Sequence, residues 1–384
     1  MFFEFLQKSM KRIAVVCRTE DSLELDDRIR KECTSLSKAY ELFIYVVFED
    51  NRAEEGVTSY GVKYKSFALK SREKHRAGGA LLSKAWDFYK TVKPYLSHYD
   101  YIWAAEEYTF LFAALAPKGR LIWDLHELPS MMMKTPLTRI LFHYIEKKSK
   151  IIIHANDERI EYLVRIGLVK KREKHYSIHN YPDDSFLESQ EKCIRYSEFT
   201  DWSNGEKYIY LQGLNIPSRY PYNTIKALLD KTALKILVVG RFDPSIETKL
   251  KSVFGESFNE RVFMMGTIPS LQIPVLMKNS MFSVVFYNTD SPNNRYCEAN
   301  RFYNAISLGV PVIVGCNESM ANICRRYGVG IPIETDGRVI EDIENGVTRL
   351  INDYNTIKKQ CLENLNIFRW KDEFVLTEDI FERI

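Results

Sequence analysis

The sequence has no apolar run approaching the roughly 20 residues that span a bilayer. Its amino terminus, M-F-F-E-F-L-Q-K-S-M-K-R, is too short and too interrupted for a signal h-region. These absences predict a cytoplasmic chain that meets a membrane at most on its surface. There is no C-x-x-C pair and no metal-ligand spacing among the seven cysteines, an odd set at 17, 33, 193, 297, 316, 324 and 361. Such a set reads as reduced thiols packed as small apolar side chains. An excess of either charge is missing too. The 54 Lys and Arg against 51 Asp and Glu leave a net of +3, which argues against wholesale wrapping of nucleic acid. G-x-x-x-x-G-K-[ST], G-x-G-x-x-G after the first strand and H-E-x-x-H are all absent, so a P-loop, a nicotinamide or flavin Rossmann site and a zincin are unsupported. No D-x-D pair stands ready to hold Mg²⁺ against a nucleotide diphosphate, so neither metal nor cofactor is expected.

What the sequence does hold is enough apolar residue for a large core: 384 residues at 45% hydrophobic suit two domains better than one. Short β-branched runs at 11–17, 42–48, 61–67, 101–105, 121–124, 151–154 and 175–180 alternate with helical periods, and the pattern restarts at 208–212, 235–239 and 261–265. That alternation predicts an α/β fold of parallel sheets with helices on both faces. From 185 to 206 the hydrophobic period fades, which marks the expected linker. The expected domains are 1–195 and 206–365, followed by a helix over 366–384 that carries Phe368, Trp370 and Phe374.

The chain is organised around residues 283–315. Two buried strand runs, S-V-V-F-Y and V-P-V-I-V-G, flank the helical stretch E-A-N-R-F-Y-N-A-I-S-L-G. In that helix Phe302, Ala305 and Ile306 face a sheet, whereas Asn300, Arg301 and Asn304 point elsewhere. Gly309 suits a left-handed C-cap and Pro311 stops the helix. The polar loop 288–297 then falls at a strand's carboxyl end and a helix's amino end, where open α/β sheets bind ligands and backbone N–H groups favour anions. A plain βαβ unit with a solvated loop fits the same spacing. Asp124, His126 and Glu127 cluster at another strand's carboxyl end, either for chemistry or to cap the following turn. Two segments, 69–95 and 131–150, mix basic with apolar residues. Each suits an anionic lipid surface, or else a solvated helix in the first case and a loop folded onto the core in the second.

Five stretches, in order, resemble the GT-B-fold glycosyltransferases, the family-4-like sugar-nucleotide enzymes of bacterial surface polysaccharides. E-A-N-R-F-Y-N-A-I-S-L-G-V-P-V-I is similar to their P-N-K-x-x-E-(Y)-x-x-x-G-x-P-V-I signature, W-D-L-H-E to their D-x-H-E, and S-I-H-N-Y-P to V-I-x-N-x-P. Y-L-Q-G-L-N-I-P-S-R resembles the first strand and turn of the nucleotide domain, and F-R-W-K-D-E-F the W-x-x-E of the last helix. The resemblance implies two Rossmann-like domains facing a central cleft, with the C-terminal helix crossing back. The acceptor would bind residues 1–195 and the nucleotide-sugar 206–365.

Carried over by position, the resemblance gives Arg301 and Arg219 the role of cations on the donor diphosphate, with Gly213 letting the backbone approach the ligand. Arg241, Glu298, Asn300 and Asn304 complete the donor set. His126 falls where the family has residues close to the transferred sugar; in an inverting reaction Glu127 or Asp124 would accept the proton. The family's ribose-binding Glu is replaced by Asn304, and the Glu eight residues earlier by Tyr296, so Glu298 is the available carboxylate. The implied function is metal-independent transfer of a sugar from a nucleotide donor to a lipid-linked or polysaccharide acceptor in capsule, O-antigen or exopolysaccharide synthesis. The implied location is the inner face of the cytoplasmic membrane, reached through 69–95 and 131–150, with no nucleic-acid partner. A sugar-nucleotide epimerase of the same fold and a catalytically silent scaffold subunit remain alternatives.

Overall fold

The computed structural model describes residues 10–19, 22–74, 80–213 and 216–373. They divide between His179 and Asn180 into two compact units.

The first unit is built on β1 (Arg12–Thr19), β2 (Glu41–Phe48), β3 (Glu55–Val57), β4 (Lys63–Ser66), β5 (Tyr101–Ala105), β6 (Leu121–Leu125), β7 (Ile151–His154) and β8 (His175–Ser177). Their order is β3-β4-β2-β1-β5-β6-β7-β8, parallel throughout except for β3 on β4. The runs that bury both faces lie in the middle: Ile13 through Cys17 of β1 and all of β6 are inaccessible, as parallel strands covered by helices on both sides require. The hairpin partner β3 escaped the sequence reading, because E-G-V is too short to show a period.

The second unit holds β9 (Tyr208–Gln212), β10 (Lys235–Val239), β11 (Val262–Gly266), β12 (Phe282–Val285), β13 (Val312–Val314) and β14 (Gly330–Pro332), ordered β11-β10-β9-β12-β13-β14 and parallel throughout. Both sheets therefore reverse direction of growth once, between β1 and β5 and between β9 and β12. In each sheet, taken by itself, the switch point opens a crevice at the strands' carboxyl ends.

Three expectations need correction. The stretch 185–206 is no bare linker: helices Asp184–Leu187 and Tyr196–Ser203 lie in it, and Phe186, Cys193 and Phe199 are buried in the second unit's core. A few widely spaced aromatics carry that packing, too few to register as a period. The single helix expected over 69–95 is instead Lys70–Lys74, then Leu81–Val92, then a 3-10 turn Lys93–His98 at Pro94, which has no N–H to continue the ladder; His75 and Arg76 lie outside the described residues. Segment 131–150 is neither a loop nor one helix but Ser130–Lys134 followed by Pro136–Lys148, restarted by a Thr135–Thr138 capping box. Of the expected closing helix, residues 374–384 fall outside the described set. Phe368 and Trp370 are buried, with Phe368 against Tyr303, 5.6 Å between ring centres. Among the described residues no helix is long and apolar enough to cross a membrane.

Candidate functional site

At the second unit's switch point the sequence turns sharply at Gly213. Its φ of +66° is left-handed, and a Cβ there would stand 2.7 Å from Nη1 of Arg219 and 3.2 Å from Nη1 of Arg301. Only glycine fits that place. Gly240, at φ +104°, packs behind it, with its Cβ position 3.5 Å from the Gly213 nitrogen.

Arg301 sits in the first turn of helix Asn300–Ser307, and it does not point away as the helical period suggested. It is buried, and its guanidinium straddles the two strand ends. Nη1 donates to the carbonyls of Gln212 (2.6 Å) and Gly213 (3.2 Å), and Nη2 to that of Phe286 (3.1 Å). The reason is reach: a long side chain on the helix's first turn extends over carbonyls at the strand ends. Arg219, closing the 3-10 turn Pro217–Arg219, also donates to the Gly213 carbonyl. Both guanidinium groups lie over the Tyr287 ring, at 4.9 Å for Arg219 and 4.7 Å for Arg301. Burial lowers the proton affinity of Arg301 and the neighbouring Arg219 adds to this, while the Arg301 guanidinium stays cationic.

The rest of the expected donor set lies on other parts of the second unit's helix and strand ends. Asn300 accepts a hydrogen bond from Nδ2 of Asn180 (2.9 Å). Asn304 is half-buried one turn along the helix, and Arg241 is exposed beyond β10. Glu298 is half-buried near Tyr181, whose phenol is held well above its usual value first by burial and then by the Glu298 charge. Sequence reasoning missed Asp336. It is buried after β14 and accepts hydrogen bonds from the Thr289 amide (2.9 Å), the Tyr220 hydroxyl (3.2 Å) and Arg338, whose Nε lies 2.8 Å and Nη2 2.6 Å away. Burial would raise this carboxyl, but Arg338 and the Thr289 amide hold it down at about 2. Asp336 thereby fixes the loop after β12, and the Asp-Gly pair it forms with Gly337 was the available signal.

In the first unit, the sequence cluster at the end of β6 does assemble, though around partners not foreseen. Asp124 is fully buried. Its Oδ1 takes Arg28 Nη2 (3.1 Å), and its Oδ2 takes His126 Nε2 (2.8 Å) and Trp103 Nε1 (3.3 Å). Arg28 comes from helix Asp27–Leu36, where Glu32 one turn later meets its Nε at 2.9 Å. Nδ1 of His126 faces Glu106 at 2.9 Å. Glu106 itself holds a left-handed φ of +71°, a strained backbone for a residue with a side chain, pinned by its amide donating to the Asp124 carbonyl (2.7 Å).

Burial alone would lower the His126 pKa, but Asp124 and Glu106 raise it well above the usual value, so the ring is an imidazolium at neutral pH. Burial and the charge of Asp124 push Glu32 up to about 8, while Arg28 and His126 hold Asp124 ionised against its own burial. Glu127 is turned aside: it is 57% exposed and pairs with Nη2 of Arg159 at 3.1 Å. Glu32, Asp124 and His126 offer metal-type donor atoms within 4.8 Å of one another. The Arg28 guanidinium already supplies the positive charge those carboxylates need. Arg28, Glu32 and Glu106 were missed; the i,i+4 pair Arg28–Glu32 was the one legible hint.

No protein-family model matches the chain, and no curated protein does. Solved structures do match. Sucrose-phosphate synthase from Thermosynechococcus elongatus is 15% identical, covering 97% of this chain and 98% of its own, with a TM-score of 0.73. HepE from Anabaena, solved in complex with UDP and with UDP-glucose, is 14% identical in its UDP complex, covering 98% and 100%, with a TM-score of 0.70. The α,α-trehalose 6-phosphate synthase from Burkholderia multivorans is 11% identical over 97% and 98%, with a TM-score of 0.69. At these identities the likeness is one of fold, and the fold is GT-B with two Rossmann-like domains.

Proposed function

We propose that the chain is a glycosyltransferase that uses a nucleotide-sugar donor. One observation carries the reading: Arg219 and Arg301 converge on Gly213 at the switch point of a Rossmann-like sheet, under the uncapped amino end of helix Asn300–Ser307. A guanidinium group beside a helix amino end can stabilise a leaving diphosphate without a metal ion. Because Arg301 is consumed by three carbonyls, Arg219 is the cation with freedom to turn toward phosphate, and Arg301 holds the turn from which it acts. UDP-sugars are the first donors to try, since HepE is solved with UDP and with UDP-glucose.

On the acceptor side, His126 is held in place with both ring nitrogens committed, Nε2 to Asp124 and Nδ1 to Glu106, so it contributes positive charge to the site rather than a hydrogen bond to the substrate. Asp124 is a positioning residue in this reading, because both its oxygens are committed to Arg28, Trp103 and His126. It is a poor proton acceptor. Glu127 is the more accessible carboxylate for an inverting reaction, while a retaining reaction requires no dedicated base. The reading takes as acceptor a lipid-linked or polysaccharide chain of capsule, O-antigen or exopolysaccharide synthesis, at the cytoplasmic membrane face. The test is release of UDP, GDP or dTDP from a panel of UDP-, GDP- and dTDP-sugars, with bacterial membrane lipid extract as acceptor, in EDTA. Turnover that persists in EDTA and falls at least about 100-fold in Arg219→Ala supports it. Donor turnover that yields an isomerised nucleotide-sugar and no acceptor product would replace it with the epimerase.

A further inference from the structure

The amino ends of β9 and β12 border a cavity of about 360 Å³, at the opposite end of the second sheet from Gly213. Lys207 stands immediately before β9, and Ser280 just before β12. Helix Tyr354–Glu363 adds a wall with Tyr354 and Lys358, and Lys278 follows directly on helix Ile273–Met277. Local structure puts each lysine there. The left-handed cap at Asn204 (φ +48°) turns the chain from helix Tyr196–Ser203 back into β9, which brings Lys207 to the rim. Lys358 comes four residues after Tyr354, on the same face of its helix. The volume lies at the low end of the range of small-ligand sites, about 300–1,000 Å³.

The charge around this space is unbalanced. Glu206 is the only acid among the described residues that line it, and Lys235 already meets its charge at 2.9 Å. Lys207 and Lys278 are exposed, and neither ammonium group has an ion pair or hydrogen bond among the described residues. Lys358 is half-buried. Its Nζ donates to the carbonyl of Gly309 (2.6 Å), which leaves two N–H groups for a ligand. Burial lowers the Lys358 pKa; Cys361 opposes this, and the charge of Lys207 adds to it. Two cations therefore repel beside a space whose only acid is engaged elsewhere. The hydroxyl groups of Thr200, Ser203 and Ser280 donate to backbone carbonyls, so the lysines and the Tyr354 phenol are the main donors left.

We propose that this cavity binds a small phosphate ester, its phosphate held by Lys207, Lys278 and Lys358 and its polyol part set against Tyr354. A phosphate monoester carries about −1.5 to −2 charges at neutral pH, which answers the unbalanced ammonium groups. Lysine suits phosphate as a point charge with rotatable donors. An inorganic anion would meet the same charges and leave the rest of the wall without contact. The cavity lies at the strands' amino ends and the diphosphate turn at their carboxyl ends, so failure of either assignment leaves the other untouched.

Isothermal calorimetry of the full chain with ribose 5-phosphate, glycerol 3-phosphate, inorganic phosphate and ribose tests the proposal. Saturable binding of at least one ester is expected, at least about tenfold tighter than inorganic phosphate, with none for ribose. Lys207→Ala combined with Lys278→Ala should weaken that ester at least about tenfold. Both side chains are exposed and without partners among the described residues, so an unchanged melting temperature in the absence of ligand shows that the variant folds. Arg219→Ala should leave the ester's affinity as it is. No binding of either ester overturns the proposal, as does binding that the double lysine variant leaves unchanged. Loss of binding in Arg219→Ala overturns it too, because the ester would then sit at the diphosphate turn. Equal affinity for ester and inorganic phosphate would mean an adventitious ion only, and also overturns it.

Discussion

Arg301→Met should destabilise the second unit. The substitution keeps a long apolar stem and removes the guanidinium that caps the carbonyls of Gln212, Gly213 and Phe286. Gly213 retains Arg219 as a donor, so two buried carbonyls lose theirs, at about 1–3 kcal/mol each. Part of that loss is offset, since a buried cation beside a second cation no longer has to be desolvated. We expect a net loss of about 2–4 kcal/mol, equivalent to about 5–15 °C in melting temperature for a unit of this size. Arg219→Ala, half-buried with one bond to a carbonyl, should cost under about 1.5 kcal/mol. Urea unfolding followed by circular dichroism measures both. An Arg301→Met protein as stable as the parent, or more so, would show that the guanidinium strains the turn instead of holding it, and the account of the site would fail. The contrast also decides which arginine is useful for function: lost activity in an Arg301 variant is ambiguous, whereas in Arg219→Ala it is not.

His154 and His175 are stacked and hydrogen-bonded at 2.8 Å, with His175 facing Glu146 at 3.1 Å. Burial lowers both pKa values, and His154 is lowered further by His175 and Arg159. Both are therefore neutral when folded, so their contribution is intact above the unfolded value near 6.5. It is lost as pH falls below that, by about 1.4 kcal/mol per pH unit for each ring; urea midpoints between pH 7.5 and 5.5 should fall accordingly, and a flat profile contradicts the burial argument. Glu32, protonated up to about 8, should tolerate Glu32→Gln at pH 7 within about 1 kcal/mol, while Asp124→Asn should cost about 3–5 kcal/mol by leaving Arg28 without its buried partner. Equal losses in the two would mean that Glu32 is ionised. In Asp124→Asn the His126 ring should also titrate at lower pH by NMR, because its main stabilising charge is gone. Gly213→Ala, which combines a positive φ with a Cβ 2.7 Å from Arg219, should cost about 1–3 kcal/mol and abolish nucleotide binding measured by calorimetry.

The alternation of β-branched runs with helical periods made both sheets legible, because buried parallel strands need little beyond a short continuous apolar run. The positions of Gly213, Arg219 and Arg301 were likewise readable from motif order. What that order could not show is direction. Arg301 belongs by period to the side of the helix facing away from the sheet, yet its length carries the charge over the strand ends. The first-unit constellation was only half legible: Asp124 and His126 are two apart in sequence, but Arg28 and Glu32 reach them from a helix and Glu106 from the turn after β5, about 20–100 residues away, a closeness only tertiary packing creates.

The central claim is that the turn at Gly213 with Arg219 binds the diphosphate of a nucleotide-sugar. Isothermal calorimetry of the full chain with UDP, GDP, CMP and dTDP, in EDTA, tests it most directly. The account predicts saturable binding of one nucleotide diphosphate that survives EDTA and weakens at least about tenfold in Arg219→Ala, an expected loss of about 1.4 kcal/mol or more. No binding by any of the four, or binding that Arg219→Ala leaves unchanged, would contradict it and turn attention to a scaffold role.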